Sequence, residues 1–338
     1  MNTNLSSSEQ VTIKKDRLKA DLRQMGITKG AHVAVALSFK SIGFVKGKPD
    51  AFIDSLLEVI GPEGTVMMNT FTLSFPIAEI NPDYVFDPES TIPYTGLIPR
   101  TLMKRKDAVR SRHPTCSVVA IGRLATYLTD GHDEHSNPFL PYERLAQVDG
   151  KHLCIGVNDR LVALRHEAQR RAGLFAVPMF MGVRYKTLSK KVSLFTWVHP
   201  PCTRRLPELV PELVRRGILK RGRIGKAVSI AGPANRLIEV MSETLKKNPT
   251  LNLCYDFSCL KCRELERKLN LYEIIENPRF FQRSLMIRRA LNYRNRLMLR
   301  RYSQVAFRVS NQRRTFHPDV ILEFGIRRFI WLIAKILN

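Results

Sequence analysis

The sequence predicts an α/β fold in which a mostly parallel central sheet is flanked by helices, with a basic helical extension at the C-terminus. Three observations lead to this prediction. A buried strand, an amphipathic helix and a second buried strand follow one another between residues 32 and 70, which is typical of a βαβ unit. The same alternation of apolar runs and helical periodicity continues to about residue 172. Near residue 255 the chain becomes rich in arginine and scattered aromatic residues.

The first hundred residues contain this βαβ unit. Apolar residues at helical spacing predict a helix over residues 8–26. His32–Leu37 and Gly64–Thr70 are apolar runs of strand length, and Pro49–Ile60 between them has the period of a helix. Residues 73–96 are rich in proline and predict an irregular loop that folds over a neighbouring surface.

Further along the chain, the same criteria predict two strands and six helices. The strands are Ser117–Ile121 and His152–Val157, and the helices are Ile98–Arg105, Gly122–Leu128, Tyr142–Val148, 160–172, 204–216 and 235–247. The segment between the last two helices, residues 217–229, has the pattern of two short strands joined by a turn.

The composition is that of a globular protein, but the charge is unusual. Of the 338 residues, 44% are hydrophobic and 25% charged, so a sizeable core can form. The net charge is +25, of which residues 1–200 contribute +7 and residues 201–338 contribute +18. Such an excess indicates an anionic partner, such as nucleic acid, anionic lipid or a phosphorylated ligand. We divide the chain into a domain over residues 1–255 and a basic, largely helical extension over residues 256–338.

The cysteines and the N-terminus indicate a cytoplasmic protein. The first 30 residues are polar and do not have the apolar run of a signal peptide, and no segment has the length and hydropathy of a membrane span. Disulfides are therefore not expected. Cys254, Cys259 and Cys262 are close in sequence, but a structural zinc site needs four ligands, and no sequence signal shows that Cys202 completes the set. Free thiols are favoured, and no metal is expected.

Several stretches, in unbroken order over residues 10–255, resemble the aminoglycoside 3-N-acetyltransferase family. They are "SFKSIGFVKGKPDAFIDSLLEVIGPEGTVMMNTFT" (38–72), "FDPESTIPYTGLIPRTLMKRKDAVRSRHPTCSVVAIG" (86–122), "TDGH" (129–132), "PYERLAQVDGKHLCIGV" (141–157) and "CTRRLPELVPELVRRGILKRGRIGKA" (202–227). The resemblance implies an α/β fold and transfer of acetyl from acetyl-CoA to an amine of an amino sugar, such as an aminoglycoside or a surface-polysaccharide precursor.

The resemblance also implies a catalytic residue. His166 matches the family's catalytic histidine, and histidine suits a base that removes a proton from an amine at neutral pH. The family has threonine three residues before it and glutamate three residues after it, where this chain has Ala163 and Gln169. Gln169 can hold the imidazole but cannot stabilise its charged form, and Glu167 is about 100° away around the helix. The alternative is a degenerate family member that binds CoA or a partner protein without catalysis.

Two further segments match positions that hold acetyl-CoA in the family. The first is the loop with Ser38, Lys40, Ser41 and Gly43, and the second contains Arg110, Ser111 and His113. An ordinary strand-to-helix turn and a structural turn held by side-chain hydrogen bonds are the alternatives. Thr70 and Thr72 are predicted to line the substrate site, although threonine is also common in strands. For His132, a buried loop histidine is the favoured interpretation.

The C-terminal tail is the most basic part of the chain. Residues 277–338 contain 14 Lys and Arg against 2 Asp and Glu, a net charge of +12, together with Phe324, Phe329 and Trp331. This composition is typical of a helix at an anionic membrane surface, so the tail is a candidate for docking to the inner face of the membrane or to a membrane-bound biosynthetic enzyme. Packing on the catalytic domain is the main alternative. Nucleic acid is disfavoured because no nucleic-acid-binding motif is present.

Overall fold

The computed structural model describes residues 12–157, 161, 163–175, 180–198, 200–254, 259, 261–262 and 265. The strands are β1 (Thr12–Ile13), β2 (His32–Leu37), β3 (Phe44–Val45), β4 (Thr65–Asn69), β5 (Phe75–Pro76), β6 (Val85–Phe86), β7 (Val109–Arg110), β8 (Val118–Gly122), β9 (Lys151–Ile155), β10 (Phe180–Lys186), β11 (Val192–Val198), β12 (Lys220–Ile224) and β13 (Ala227–Pro233). The α-helices are α1 (Lys15–Gln24), α2 (Phe39–Ile42), α3 (Lys48–Ile60), α4 (Leu97–Leu102), α5 (Ala125–Thr129), α6 (Leu140–Gln147), α7 (Leu164–Arg171), α8 (Val210–Arg215) and α9 (Ala234–Lys247). Short 3₁₀ turns span Ile77–Glu79, Leu206–Leu209 and Pro249–Asn252.

The main sheet has seven strands in the order β12-β13-β9-β2-β4-β8-β7. The central strand β2 pairs in parallel with both β9 and β4, whereas the pairs towards both edges are antiparallel. The α/β class with a large central sheet flanked by helices is thus confirmed. Parallel pairing is limited to the three central strands, so the sheet is mixed rather than mostly parallel as predicted: both edges are extended by antiparallel pairs.

Helices cover both faces of this sheet, because its central strands present apolar side chains to both faces. Val33 and Val35 of β2 join the core that contains α1, α3 and α4, whereas Ala34 and Ala36 join the core that contains α6, α7 and α9. The small alanine side chains of β2 face the side of the sheet where α7 packs. The architecture is therefore a three-layer sandwich.

The sequence did not predict a second, four-stranded sheet. Strands β10 and β11 form an antiparallel hairpin over residues 180–198, to which β5 and β6 add. The proline-rich segment 73–96 thus folds against this hairpin as two short strands and a 3₁₀ turn within irregular chain. The prediction that this segment covers a neighbouring surface is correct in outline, but the sequence did not indicate that this surface is the β10–β11 hairpin.

Packing of the domain extends beyond the predicted boundary at residue 255. Leu265 is buried in a small apolar cluster with Leu174, Leu206 and Leu245. Residues 266–338, which include the basic tail, lie outside the described residues. Within the described part of the chain, no helix combines the length and the apolar character that a membrane span requires.

Candidate active site

Ser38 and Thr70, two of the candidate site residues, lie where the parallel strands end. Residue Ser38 follows β2, Thr70 follows β4 and Gly156 follows β9. The Ser38 N–H donates to the carbonyl of Ile155 over 2.9 Å, so the loop after β2 lies against the end of β9. Ligands of open α/β sheets bind outside the carboxyl ends of the strands, which is the edge where these residues lie.

The predicted cofactor loop is a tight turn built on the short helix α2. The Ser41 hydroxyl donates to the Ser38 carbonyl over 2.6 Å, and Lys40 is exposed. Gly43 has φ +104°, a conformation that L side chains rarely adopt. Ser38, Lys40, Ser41 and Gly43 thus lie together in one turn, and their contact with acetyl-CoA stays a prediction.

Gly156 leaves room for the Ser38–Gly43 loop beside the end of β9, and Gly156→Ala tests this role. A Cβ at this position would lie 1.7 Å from the Ser41 hydroxyl, and the residue has φ +62°. We expect Gly156→Ala to displace the Ser38–Gly43 loop and to abolish acetyl-CoA binding as measured by calorimetry. Gly217→Ala is the matched control, because Gly217 has φ +70° with no atom within 4 Å of an added Cβ. Equal loss of acetyl-CoA binding in both variants would contradict a specific role for Gly156.

The Arg110 side chain holds the loop that contains Pro88 and Thr91 against the end of β4. Its guanidinium donates to the carbonyls of Pro88, Thr91 and Thr70 and to the Ser117 hydroxyl, and it lies over the Phe86 ring. Burial lowers the pKa of Arg110 to about 10, so it stays charged at neutral pH. These contacts favour the structural alternative, and contact with the cofactor stays a prediction.

The neighbouring Ser111 and His113 belong to a buried hydrogen-bonded turn. The Ser111 hydroxyl accepts from the Val118 N–H and lies 2.9 Å from His132 Nδ1. His113 Nδ1 accepts from the Cys116 N–H over 3.0 Å, and its ring stacks on His132. Neither Ser111 nor His113 has a substantially exposed side chain, which favours a structural role.

The buried histidines predict that stability falls in acid. Burial lowers the pKa of His132 to about 3 and that of His152 to about 3, against about 6.5 in an unfolded chain. The unfolded state binds more protons between these values, so the free energy of unfolding falls as pH falls, by about 1.4 kcal/mol per pH unit for each such histidine. Denaturant titrations at about pH 6 and about pH 4, which both lie between the folded and unfolded pKa values, measure this slope.

His152→Leu provides the comparison for this prediction. Among the described residues, His152 Nδ1 has no hydrogen-bond partner and Nε2 lies 3.4 Å from the Cys154 sulfur. Substitution by leucine therefore removes only this weak contact with sulfur. We expect a shallower dependence of the unfolding free energy on pH in this variant. A slope equal to that of the unsubstituted protein would contradict the assignment of His152 as a neutral buried group.

The predicted substrate-lining threonines are buried at the end of β4. Thr70 Oγ1 lies 2.9 Å from the Ser117 hydroxyl, and Thr72 Oγ1 donates to the Pro114 carbonyl over 2.6 Å. Both side chains fasten β4 to the turn before β8. A contact with substrate stays a prediction.

His166 lies in the first turn of α7, which begins at Leu164 rather than at residue 160. The helix predicted over residues 160–172, which would have placed His166 at its middle, is therefore shorter at its start than expected. Ala163 precedes the helix with φ +62° and ψ −47°, and its carbonyl accepts from the His166 N–H over 2.8 Å. A non-glycine residue rarely adopts this conformation, and such strain is concentrated at functional sites. The imidazole stacks on Phe139, with ring centroids 5.2 Å apart.

Gln169 holds the His166 ring from the next turn of α7. Its Oε1 lies 2.7 Å from His166 Nδ1, while its Nε2 donates to the Cys202 carbonyl and to Asn252 Oδ1. Because the two acceptors fix the amide orientation, Oε1 faces the imidazole and must accept from Nδ1–H. The basic lone pair of neutral His166 is then on Nε2.

Glu167 does not substitute for the family's glutamate. Its fully buried carboxylate accepts hydrogen bonds from Arg170 and Arg171, each at 2.8 Å, and from Asn137. The prediction that it points away from the imidazole is consistent with these contacts.

Sequence reasoning missed Asn252 and the carbonyl of Cys202. They lie 83 and 33 residues from Gln169, and no local pattern connects them to α7. The structure also brings four sulfur atoms within 4.8 Å of one another. We call this group the cysteine cluster; its members are Cys202, Cys254, Cys259 and Cys262.

A family model described as aminoglycoside 3-N-acetyltransferase matches residues 35–246 of the chain. The match covers most of the described fold, including the Ser38–Gly43 loop and α7. The chain belongs to the aminoglycoside 3-N-acetyltransferase family. Residues 247–338, and with them three of the four clustered cysteines, lie beyond the matched region.

Individual members of the family are similar to parts of this chain. Aminoglycoside N(3)-acetyltransferase VIII of Streptomyces fradiae is 32% identical over 176 residues, which are 47% of this chain and 62% of the relative. The chain thus spans about three fifths of the length of this curated relative.

Solved structures of the family share the fold. The AAC-IIIb complex with CoASH has a TM-score of 0.62 at 22% identity, covering 70% of this chain and 97% of that protein. A mutant of AAC(3)-IVa in complex with apramycin has a TM-score of 0.64 at 22% identity, covering 75% of this chain and all of that protein.

Proposed function

We propose that this family member transfers acetyl from acetyl-CoA to an amine of an amino sugar, with His166 as the general base. The acceptor is an aminoglycoside or an amino-sugar precursor of a surface polysaccharide. The observation that carries the proposal is the contact of His166 Nδ1 with Gln169 Oε1, because it puts the basic nitrogen at Nε2. A general base needs a ring that is held in place and a basic nitrogen that does not already carry the proton.

Acetyl transfer couples the removal of one proton from the amine to the replacement of a C–S bond by a C–N bond. His166 Nε2 removes a proton from the acceptor amine as its nitrogen attacks the thioester carbonyl. The new C–N bond forms, the C–S bond breaks, and the CoA thiolate leaves and takes up a proton. The products are the amide and free CoA, so release of a thiol reports on each turnover.

The substitution at Ala163 affects the rate expected of this chain. The Ala163 side chain is buried in the core beside α7 and has no hydrogen-bond donor. An oxyanion donor typically contributes about 2.7–4 kcal/mol to transition-state stabilisation, so turnover should be slower than with a donor there. This feature favours the alternative of a catalytically degenerate protein that binds CoA or a partner. Acetyl-CoA binding without thiol release in the presence of amines would support that alternative.

For the basic tail, docking to an anionic membrane surface stays a prediction from composition. Its net charge of +12 supplies the attraction, since each Lys or Arg near such a surface contributes about 1 kcal/mol. Sedimentation with anionic vesicles at low salt tests it, and full-length protein that remains in the supernatant would exclude it.

A further inference from the structure

We propose that the cysteine cluster binds one zinc ion through four thiolates. All four Sγ atoms lie within 4.8 Å of one another, and those of Cys254 and Cys262 are 3.4 Å apart. A tetrahedral zinc ion with Zn–S bonds of about 2.3 Å requires sulfur atoms about 3.8 Å apart. The sulfur positions therefore fit a single ion with only small adjustments of side chains.

The order of the ligands along the chain also fits a structural zinc site. Cys259 and Cys262 have the CxxC spacing of zinc-binding turns, Cys254 is five residues earlier, and Cys202 comes from a different segment. The Cys254 N–H donates to the Cys262 sulfur over 3.1 Å, a contact that supports a sulfur carrying negative charge. No disulfide joins any of these four described cysteines.

The charges around the cluster complement a zinc–thiolate centre. Zinc with four thiolates has a net charge of −2. Arg204 Nη1 lies 3.9 Å from the Cys254 sulfur, and Lys261 directly precedes Cys262 in the chain. Two cations would gain little electrostatic stabilisation beside four neutral thiols, whereas beside a zinc–thiolate centre they offset its negative charge.

Zinc fits this donor set better than other metals. Four soft thiolates favour zinc or iron–sulfur chemistry over calcium, magnesium or manganese. An iron–sulfur cluster distributes its cysteines over several iron atoms and so separates the sulfurs, whereas here all four converge on one point. A site with four protein ligands has no open position for substrate, so the ion is structural.

The metal would stabilise the segment that holds Gln169. The Cys202 carbonyl and Asn252, two residues before Cys254, accept the two hydrogen bonds of the Gln169 amide. The ion would thus tie Cys254, Cys259 and Cys262 to Cys202 and so hold both acceptors in place. This consequence for catalysis rests on the proposed function, but the metal site itself does not.

Metal content of the full-length protein tests the site independently of activity. We expect about one zinc per chain by mass spectrometry of the purified protein, released when a mercurial reagent modifies the thiols. Replacement by cobalt should give the intense visible absorption of a tetrahedral thiolate site. Iron in place of zinc, a disulfide within the cluster, or no bound metal would each overturn the proposal.

Substitution localises the metal. Cys259→Ser should lower the zinc content at least fivefold and lower Tm, whereas the matched control Cys116→Ser, at a buried cysteine outside the cluster, should keep its zinc. An unchanged zinc content in Cys259→Ser, or equal loss in both variants, would contradict the assignment. If Cys259→Ser does not fold, mercurial release of zinc from the unsubstituted protein still decides the matter.

Discussion

His166→Ala is expected to lower kcat for acetyl transfer by about 10²–10⁴-fold, which is the usual contribution of a positioned general base. The Michaelis constant for acetyl-CoA should change little, because His166 acts on the amine rather than on the cofactor. Steady-state measurement of thiol release at saturating acetyl-CoA provides both constants.

His135→Ala is the matched control for this substitution. His135 is an exposed histidine beside Glu134, away from the contacts of α7 described above. We expect its kcat to equal that of the unsubstituted protein. An unchanged kcat in His166→Ala would show that another group removes the proton and would exclude the assigned base.

Gln169→Leu should lower kcat by about 10²-fold, since a misplacement of about 1 Å in a catalytic group costs that much. Leucine cannot accept from His166 Nδ1–H, so neither the ring orientation nor the tautomer stays fixed. The substitution also leaves the Cys202 carbonyl and Asn252 Oδ1 without their donor, at a cost of about 1–3 kcal/mol in unfolding free energy. Kinetics and denaturant titration separate the two effects.

Gln169→Glu distinguishes a positioning role from a merely structural one. Glutamate restores an acceptor for His166 Nδ1–H but loses both donors, so it should be as destabilising as leucine while retaining more activity. Its carboxylate stabilises the imidazolium, so the acid limb of the pH–rate profile should move to higher pH. Gln147→Leu, at an exposed position at the end of α6, should leave kcat unchanged. Equal kcat values in the Leu and Glu variants would contradict the positioning role of Gln169.

The core of the fold could be predicted from sequence because its signals are local. The predicted helix Pro49–Ile60 differs from the observed α3 by one residue, since proline begins it and Gly61, at φ +67°, ends it. The strand predicted over His32–Leu37 is observed with the same bounds, because an uninterrupted apolar run indicates burial on both faces. The β10–β11 hairpin was missed because neither strand has a strong apolar alternation: the consecutive residues Met181 to Val183 of β10 are buried, whereas most of β11 is exposed or half-buried.

The candidate site was predictable only in part. The resemblance supplied His166 and Gln169, and their contact in the structure is consistent with that assignment. The acceptors that fix Gln169 come from Cys202 and Asn252, and such long-range contacts have no local sequence signal. The same is true of Cys202 as the fourth member of the cysteine cluster: the three other cysteines are near one another in sequence, and only the fold brings Cys202 to them.

The most direct test of the account is thiol release by full-length protein given acetyl-CoA and a panel of aminoglycosides and amino sugars. We expect at least one amine to cause release of CoA in equal amount to the N-acetylated product, and His166→Ala to suppress this release. Tight binding of acetyl-CoA with no thiol release for any amine would contradict the proposed acetyl transfer and leave the CoA-binding alternative.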